Sequence, residues 1–205
     1  MQTRVLPISD PLAFPLALEI LHGGGVVAFP TDTVYGLGAL AFNSLAVSHI
    51  SDVKGRTGEK AIPILIGDIA QLYLLASNVS ETADKLARRF WPGPLTIVVP
   101  RHANVPDAIS PLPTVGVRIP DYAEIIELLK RSGPMAVSSA NLAGMGSSAT
   151  ALGVLSQLEG KIPLILDGGV TPGGIASTVV DCSGQDPVIL REGPVTLAEI
   201  MKALE

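Results

Sequence analysis

The 205-residue chain carries 14 Lys or Arg against 19 Asp or Glu, a formal charge of −5, and it is 47% hydrophobic but only 16% charged. That balance excludes a disordered polyelectrolyte, which combines low apolarity with high charge. It also argues against a protein held to nucleic acid mainly by bulk charge, which needs a basic surplus, and leaves room for a local basic patch.

In chain order, Asp10-Pro11 reads as a helix cap followed by Pro at the first helical position, with Gly23 to Gly25 as the stop. Val26 to Phe29 reads as a buried strand ended by Pro30. Ser44 to Val53 reads as a helix with Leu45, Ile50 and Val53 among its apolar positions. A strand over Ala61–Ile66 precedes helices over Ile69–Ala76 and Ser80–Phe90. Strands follow over Pro94–Val99 and Val115–Ile119, each closed by Pro. Asp121 is expected to cap a helix through Lys130 that Gly133 closes. Met135–Ser139 is a short strand, and Thr150 caps a helix to Leu158. Ile162–Leu166, Ser177–Asp181 and Val188–Leu190 are short strands with no helix between them, which implies antiparallel neighbours. Thr196 with Glu199 forms a capping box for the last helix. Several strands are continuous apolar runs, the mark of burial on both faces. The fold class is therefore α/β or α+β: an open, twisted, mixed parallel and antiparallel sheet flanked by helices. No Pro- or Ser-rich linker marks a boundary, so residues 1–205 are expected to form a single domain.

Cys182 is the lone cysteine, which leaves no internal disulfide or Cys-pair zinc site and suits a reducing, cytoplasmic location. Pro7, Asp10, Pro11, Pro15 and Glu19 interrupt the apolar N-terminal stretch, unlike a signal peptide. No apolar run reaches the roughly 18 residues of a membrane span. Dinucleotide, P-loop and nucleophile-elbow motifs are missing. His22, His49 and His102 read as surface or packing residues, so a histidine-dependent hydrolase or metal site is disfavoured.

Four polar segments stand at strand ends and turns, where open sheets bind ligands. In Phe29 to Gly38 (FPTDTVYGLG), Thr31 and Thr33 supply hydroxyls, and the glycines allow close backbone approach to a ligand. The alternative is a capped turn with a packed Tyr35. Lys54 to Lys60 (KGRTGEK) holds three cations in a Gly-bearing loop. It is read as a phosphate site, with a solvated helix end as the alternative. Arg118 interrupts an apolar strand, and its flanking Val117 and Ile119 point the other way. It pairs either with a substrate carboxylate or with an internal Asp or Glu. Ser138 to Gly144, followed by Ser147 and Ser148, offers hydroxyl and amide groups for sugar or phosphate oxygens.

In this order, FPTDTVYGLG, KGR (54–56), FWPGPLT (90–96), GVRIP (116–120), SAN (139–141), STVVD (177–181) and LREG (190–193) resemble the YrdC-like family of threonylcarbamoyl-adenylate synthases, from about residue 11 to 204. The resemblance implies a YrdC-like fold with a central basic cavity. It also implies an enzyme, a nucleotidyltransferase that joins L-threonine, bicarbonate and ATP into threonylcarbamoyl-AMP and pyrophosphate. This is the first step of N6-threonylcarbamoyladenosine modification beside the tRNA anticodon. The implied partners are the three substrates, a downstream transferase and a possible tRNA contact. Mg2+ would accompany ATP, and no metal ligand set is assigned.

By the same resemblance, Arg56 and Lys54 are the catalytic cations, and Arg56 and Lys60 hold ATP phosphates. Thr33, Tyr35, Arg118, Ser139 and Ser177 form the threonine pocket. Thr114, Asn141, Ser147 and Arg191 hold the nucleotide. Leu65 replaces a histidine common in the family. Ala61-Ile62-Pro63 replaces the usual Pro-Leu, and Ser147 to Thr150 replaces Ser-Pro-Thr-Thr. The chain resembles the short form, without the extra C-terminal domain of some relatives. The competing readings are an RNA-binding module without chemistry and a carbamoyl-adenylate activity serving another acceptor.

Overall fold

Alternation of side chains along the strands sorts the interior into two apolar clusters, one on each face of a single sheet. In a computed structural model, residues 2–56, 60–172 and 174–205 are described. The elements are β1 (Arg4–Pro7), α1 (Ala13–His22), β2 (Val27–Phe29), β3 (Gly36–Leu40), α2 (Ser44–Lys54) and β4 (Ile64–Leu65). A 3-10 turn (Ile69–Gln71), α3 (Leu72–Leu75), α4 (Glu81–Phe90), β5 (Leu95–Pro100), β6 (Thr114–Arg118) and α5 (Ala123–Ser132) follow. The chain continues through β7 (Met135–Ser139), α6 (Ala151–Leu158), β8 (Leu164–Asp167), β9 (Thr178–Asp181), β10 (Val188–Arg191) and α7 (Leu197–Leu204).

The ten strands run in the order β1-β8-β2-β3-β7-β4-β6-β5-β9-β10. Pairs β1/β8, β8/β2, β4/β6 and β5/β9 are parallel and the others antiparallel, the mixed open sheet read from the sequence. Val27, Phe29, Leu65, Met135, Val137, Leu164 and Leu166 face Ala13, Ala17 and Leu21 of α1 and Ile125, Leu128 and Leu129 of α5. The alternate residues Val26, Ala28, Leu37, Ile64, Ala136 and Ile165 face the other way, into a larger cluster with α2, α3, α4 and α6. No helix among the described residues is long and apolar enough to cross a membrane.

Several local expectations need correction. The short Pro-ended strand β1 escaped notice, and it pairs with β8 at one edge of the sheet. Asp10 does not cap α1. Leu12 holds that position, and the Asp10 carboxylate accepts the Leu12 amide at 2.8 Å within the preceding turn. Asp121 does not cap α5, because Tyr122 holds the cap position with no side-chain bond. Leu45 is exposed, and the buried stripe of α2 runs through Ala46, Val47, Ile50, Val53 and Lys54. β8 and β9 are not neighbours: the chain crosses from one half of the sheet to the other between them, and only β9 and β10 pair antiparallel.

The glycines of FPTDTVYGLG also act differently from the expectation. Gly36 to Leu40 is strand, and a Cβ on Gly38 would lie 2.6 Å from the Phe29 ring. One on Gly36 would lie 2.6 Å from Val137. Their missing side chains admit core neighbours. Gly36 nevertheless lines the cavity described next.

Candidate active site

Where α1 and α5 leave their face of the sheet uncovered, a cavity of about 740 Å³ opens. Its floor comes from alternation. Leu65 of β4, Thr96 of β5, Arg118 of β6 and Val137 of β7 have sequence neighbours (Ile64, Leu95, Ile97, Val117, Ala136) in the opposite cluster. Loops at the strand ends make the walls, including Thr31, Thr33 to Tyr35, Lys54 to Arg56, Ser139, Asn141 and Ala176-Ser177.

Five cations line this space, Lys54, Arg56, Lys60, Arg118 and Arg191, and no Asp or Glu does among the described residues. In a chain of net charge −5, that segregation makes an anion site. Lys60 and Arg191 stand exposed at the rim, while Lys54 and Arg118 are buried. The Arg56 guanidinium carries a buried nitrogen, Nη2, with no hydrogen-bond partner among the described residues. An unpaired buried donor of this kind is costly unless a ligand takes it.

Lys54 is a strap. Its Nζ donates to Ser139 O, to Asn141 O at 2.7 Å and toward Asn141 Oδ1 at 3.5 Å. Its own carbonyl accepts the Ala143 amide at 2.9 Å. Burial, and secondarily the charge of Arg56, lowers the Lys54 pKa to about 8. Its hydrogen bonds thus lie with the SAN loop, which it holds from a position in the cavity lining.

Arg118 is paired internally, one of the two alternatives its sequence position left open. Nη2 meets Asp32 Oδ1, Nη1 donates to Thr33 Oγ1 at 3.3 Å, and Nε donates to Gly93 O at 2.9 Å. Thr31 Oγ1 gives its only proton to Val34 O at 2.7 Å, so the 3.0 Å contact with Thr33 is donated by Thr33. Thr33 therefore turns acceptor lone pairs toward Arg118 and the cavity. Its role there is to receive an N–H or O–H.

Ser177 Oγ lies 2.8 Å from Thr96 Oγ1, and Arg191 clamps Ser177 O through Nε (3.0 Å) and Nη2 (2.8 Å). The Tyr35 ring is fully buried. Its hydroxyl donates to Gly169 O at 2.8 Å, and the Gly168 amide donates to it at 3.2 Å. Burial raises its pKa to about 12. Tyr35 thus lines the cavity with its body while its hydroxyl ties down the turn after β8.

Of the residues named from the sequence, Thr33, Tyr35, Lys54, Arg56, Lys60, Arg118, Ser139, Asn141, Ser147, Ser177 and Arg191 all line the one cavity. Thr114 does not. It starts β6 opposite Pro100, four residues before Arg118 and so about 13 Å away at ~3.3 Å per residue. Thr57 to Glu59 of the basic loop lie outside the described residues. Leu65, in the histidine position, lines the cavity as an apolar wall. Sequence reasoning missed Thr96 and Asp32. A lone hydroxyl within the apolar run Leu95–Val99 signalled the first, and the polar triplet Thr31-Asp32-Thr33 after β2 marked the second without naming its partner.

An open mixed sheet with a cation-lined hollow at its strand ends defines a class of protein whose site favours anions. The chain belongs to the Sua5/YciO/YrdC family, described as telomere recombination, whose match covers residues 19–193. It is 44% identical over 191 residues to a threonylcarbamoyl-AMP synthase of Pyrococcus abyssi, covering 92% of this chain and 56% of that one. It is 43% identical over 204 residues to the Bacillus subtilis enzyme of the same name, covering 97% and 58%. The chain thus spans somewhat over half the length of these relatives. The crystal structure of P. abyssi Sua5 complexed with L-threonine superposes with a TM-score of 0.94 at 40% identity, over 98% of this chain and 61% of that one.

Proposed function

We propose that this chain carries an L-threonylcarbamoyladenylate synthase site, making threonylcarbamoyl-AMP and pyrophosphate from L-threonine, bicarbonate and ATP. The observation that carries this reading is the convergence of five cations on one cavity of about 740 Å³ whose described lining holds no Asp or Glu. That size lies within the roughly 300–1,000 Å³ of small-molecule sites. The names of the relatives and the threonine complex of the P. abyssi protein support the choice of substrates.

The chemistry asks for no protein nucleophile. The threonine amine and bicarbonate form a carbamate with loss of water. A carbamate oxygen attacks the α-phosphorus of ATP and expels pyrophosphate. The protein contributes position and fixed charge. Arg56, with its unpartnered nitrogen, and Lys60 at the rim take phosphate oxygens, and Arg118 takes the amino-acid carboxylate. The donor set of hydroxyls, amides and cations suits anions rather than a dedicated metal site. Mg2+ would accompany ATP and offset phosphate charge, with no residue of this chain assigned to hold it. The product is a labile mixed anhydride, so a transferase acting on tRNA must consume it, and the reducing cytoplasm suits buried Cys182.

The test is pyrophosphate release with each substrate omitted in turn. Release should need all three, and Arg56→Ala should abolish it while the protein stays folded. Release without threonine would replace this reading with a carbamoyl-adenylate activity for another acceptor. No release, together with a salt-sensitive tRNA complex, would replace it with RNA binding.

A further inference from the structure

We propose that Asp32 is a positioning residue that aims Arg118 at a carboxylate in the cavity, an inference that rests on the amino-acid site proposed above. A guanidinium has five N–H donors. Among the described residues three are engaged, by Gly93 O, Thr33 Oγ1 and Asp32 Oδ1, which leaves two. Two is what a bidentate carboxylate takes. Arg118 sits in a strand with its side chain 6% exposed, so it has little freedom to find a ligand by swinging. Its orientation is set by those three bonds.

Asp32 acts from outside the pocket. Its side chain is 10% exposed and does not line the cavity, whereas Arg118 does. It comes from the turn joining β2 to β3. The next residue, Thr33, also binds the same guanidinium, so one turn sets both contacts. The second carboxylate oxygen, Asp32 Oδ2, is buried without a hydrogen-bond partner among the described residues. An anion placed only to knit the fold is normally saturated. Asp32 instead directs its one engaged oxygen at Arg118. The Asp32–Arg118 couple is also net neutral, so an incoming carboxylate is held by directed N–H groups and not by surplus charge. Direction therefore decides affinity.

The experiment is calorimetric binding of L-threonine and of L-threoninamide, which lacks the carboxylate. It uses the wild-type chain, Asp32→Asn, Arg118→Gln and the double variant, with KM for threonine and for ATP measured in parallel. Wild type should prefer the acid to the amide, and Asp32→Asn should cut that preference at least tenfold. KM for ATP should stay within twofold. In the Arg118→Gln background, Asp32→Asn should change nothing further. Should the single variant fail to fold with its buried cation unpaired, the double variant leaves neither charge buried. Its comparison with Arg118→Gln then decides. Unchanged discrimination, equal losses for threonine and ATP, or a further loss in the double variant would overturn the role of Asp32. A wild-type chain that binds no threonine would instead overturn the proposed amino-acid site.

Discussion

Replacing Lys54 by Met separates the strap from the charge. The swap nearly conserves volume, so packing around the buried stem is kept. What goes is the ammonium that donates to Ser139 O and, at 2.7 Å, to Asn141 O, with Asn141 Oδ1 at the limit of contact. Hydrogen bonds to a charged group contribute ~1.5–3 kcal/mol each, so the two firm ones account for about 3–6 kcal/mol. Burying the ammonium works the other way. A pKa lowered from 10.5 to about 8 is about 3 kcal/mol at ~1.4 kcal/mol per unit. The difference, ~0–3 kcal/mol, should leave the protein folded with a modest fall in Tm. The loop carrying Ser139 and Asn141 loses its anchor outright. Amide exchange over Ala140–Ala143 should therefore accelerate, and pyrophosphate release should drop at least a hundredfold, read in a coupled assay with near-UV dichroism as the folding check. A Lys54→Met protein with wild-type turnover and unchanged loop protection would refute the strap.

The same group predicts a pH dependence. As pH rises through about 8, Lys54 loses the proton that its carbonyl partners share, so activity should fall on the alkaline side, with a limb near that value. Stability moves oppositely. Between about 8 and 10.5 the unfolded chain still holds the proton that the folded chain has released, so the contribution of this group to stability rises with pH. Urea unfolding at pH 7.5 and 10, wild type against Lys54→Met, should show the difference moving toward wild type at the higher pH. Gly38→Ala puts a methyl 2.6 Å from the buried Phe29 ring and should destabilise by ~1–3 kcal/mol as an overpacked core. An unchanged thermal midpoint would contradict the packing role given to that glycine.

What could be read without the fold was whatever depends on residues a few positions apart. Thr150 accepts the Gly153 amide, Thr196 and Glu199 cap each other, and Met135–Ser139 is the strand its apolar run indicated. The polar segments likewise pointed to eleven residues that line one cavity, because the ends of α2, β2, β6, β7 and β10 and the start of β9 converge there. Arg118 was legible as a buried cation in need of a partner, since a charge in an apolar run is conspicuous on its own. Its partner was not, because Asp32 lies 86 positions away and meets it only through the strand order that brings β2, β3 and β6 into one sheet. Lys54 could be recognised as a cation near phosphate chemistry, yet its use as a strap depends on where β7 ends beside α2. Thr114 stands on the same face of β6 as Arg118, four residues along the strand and outside the cavity lining. Local sequence sets which backbone shape and which side-chain chemistry a segment offers, but a contact between distant segments exists only after the strands are ordered, and that ordering is a property of the packed whole.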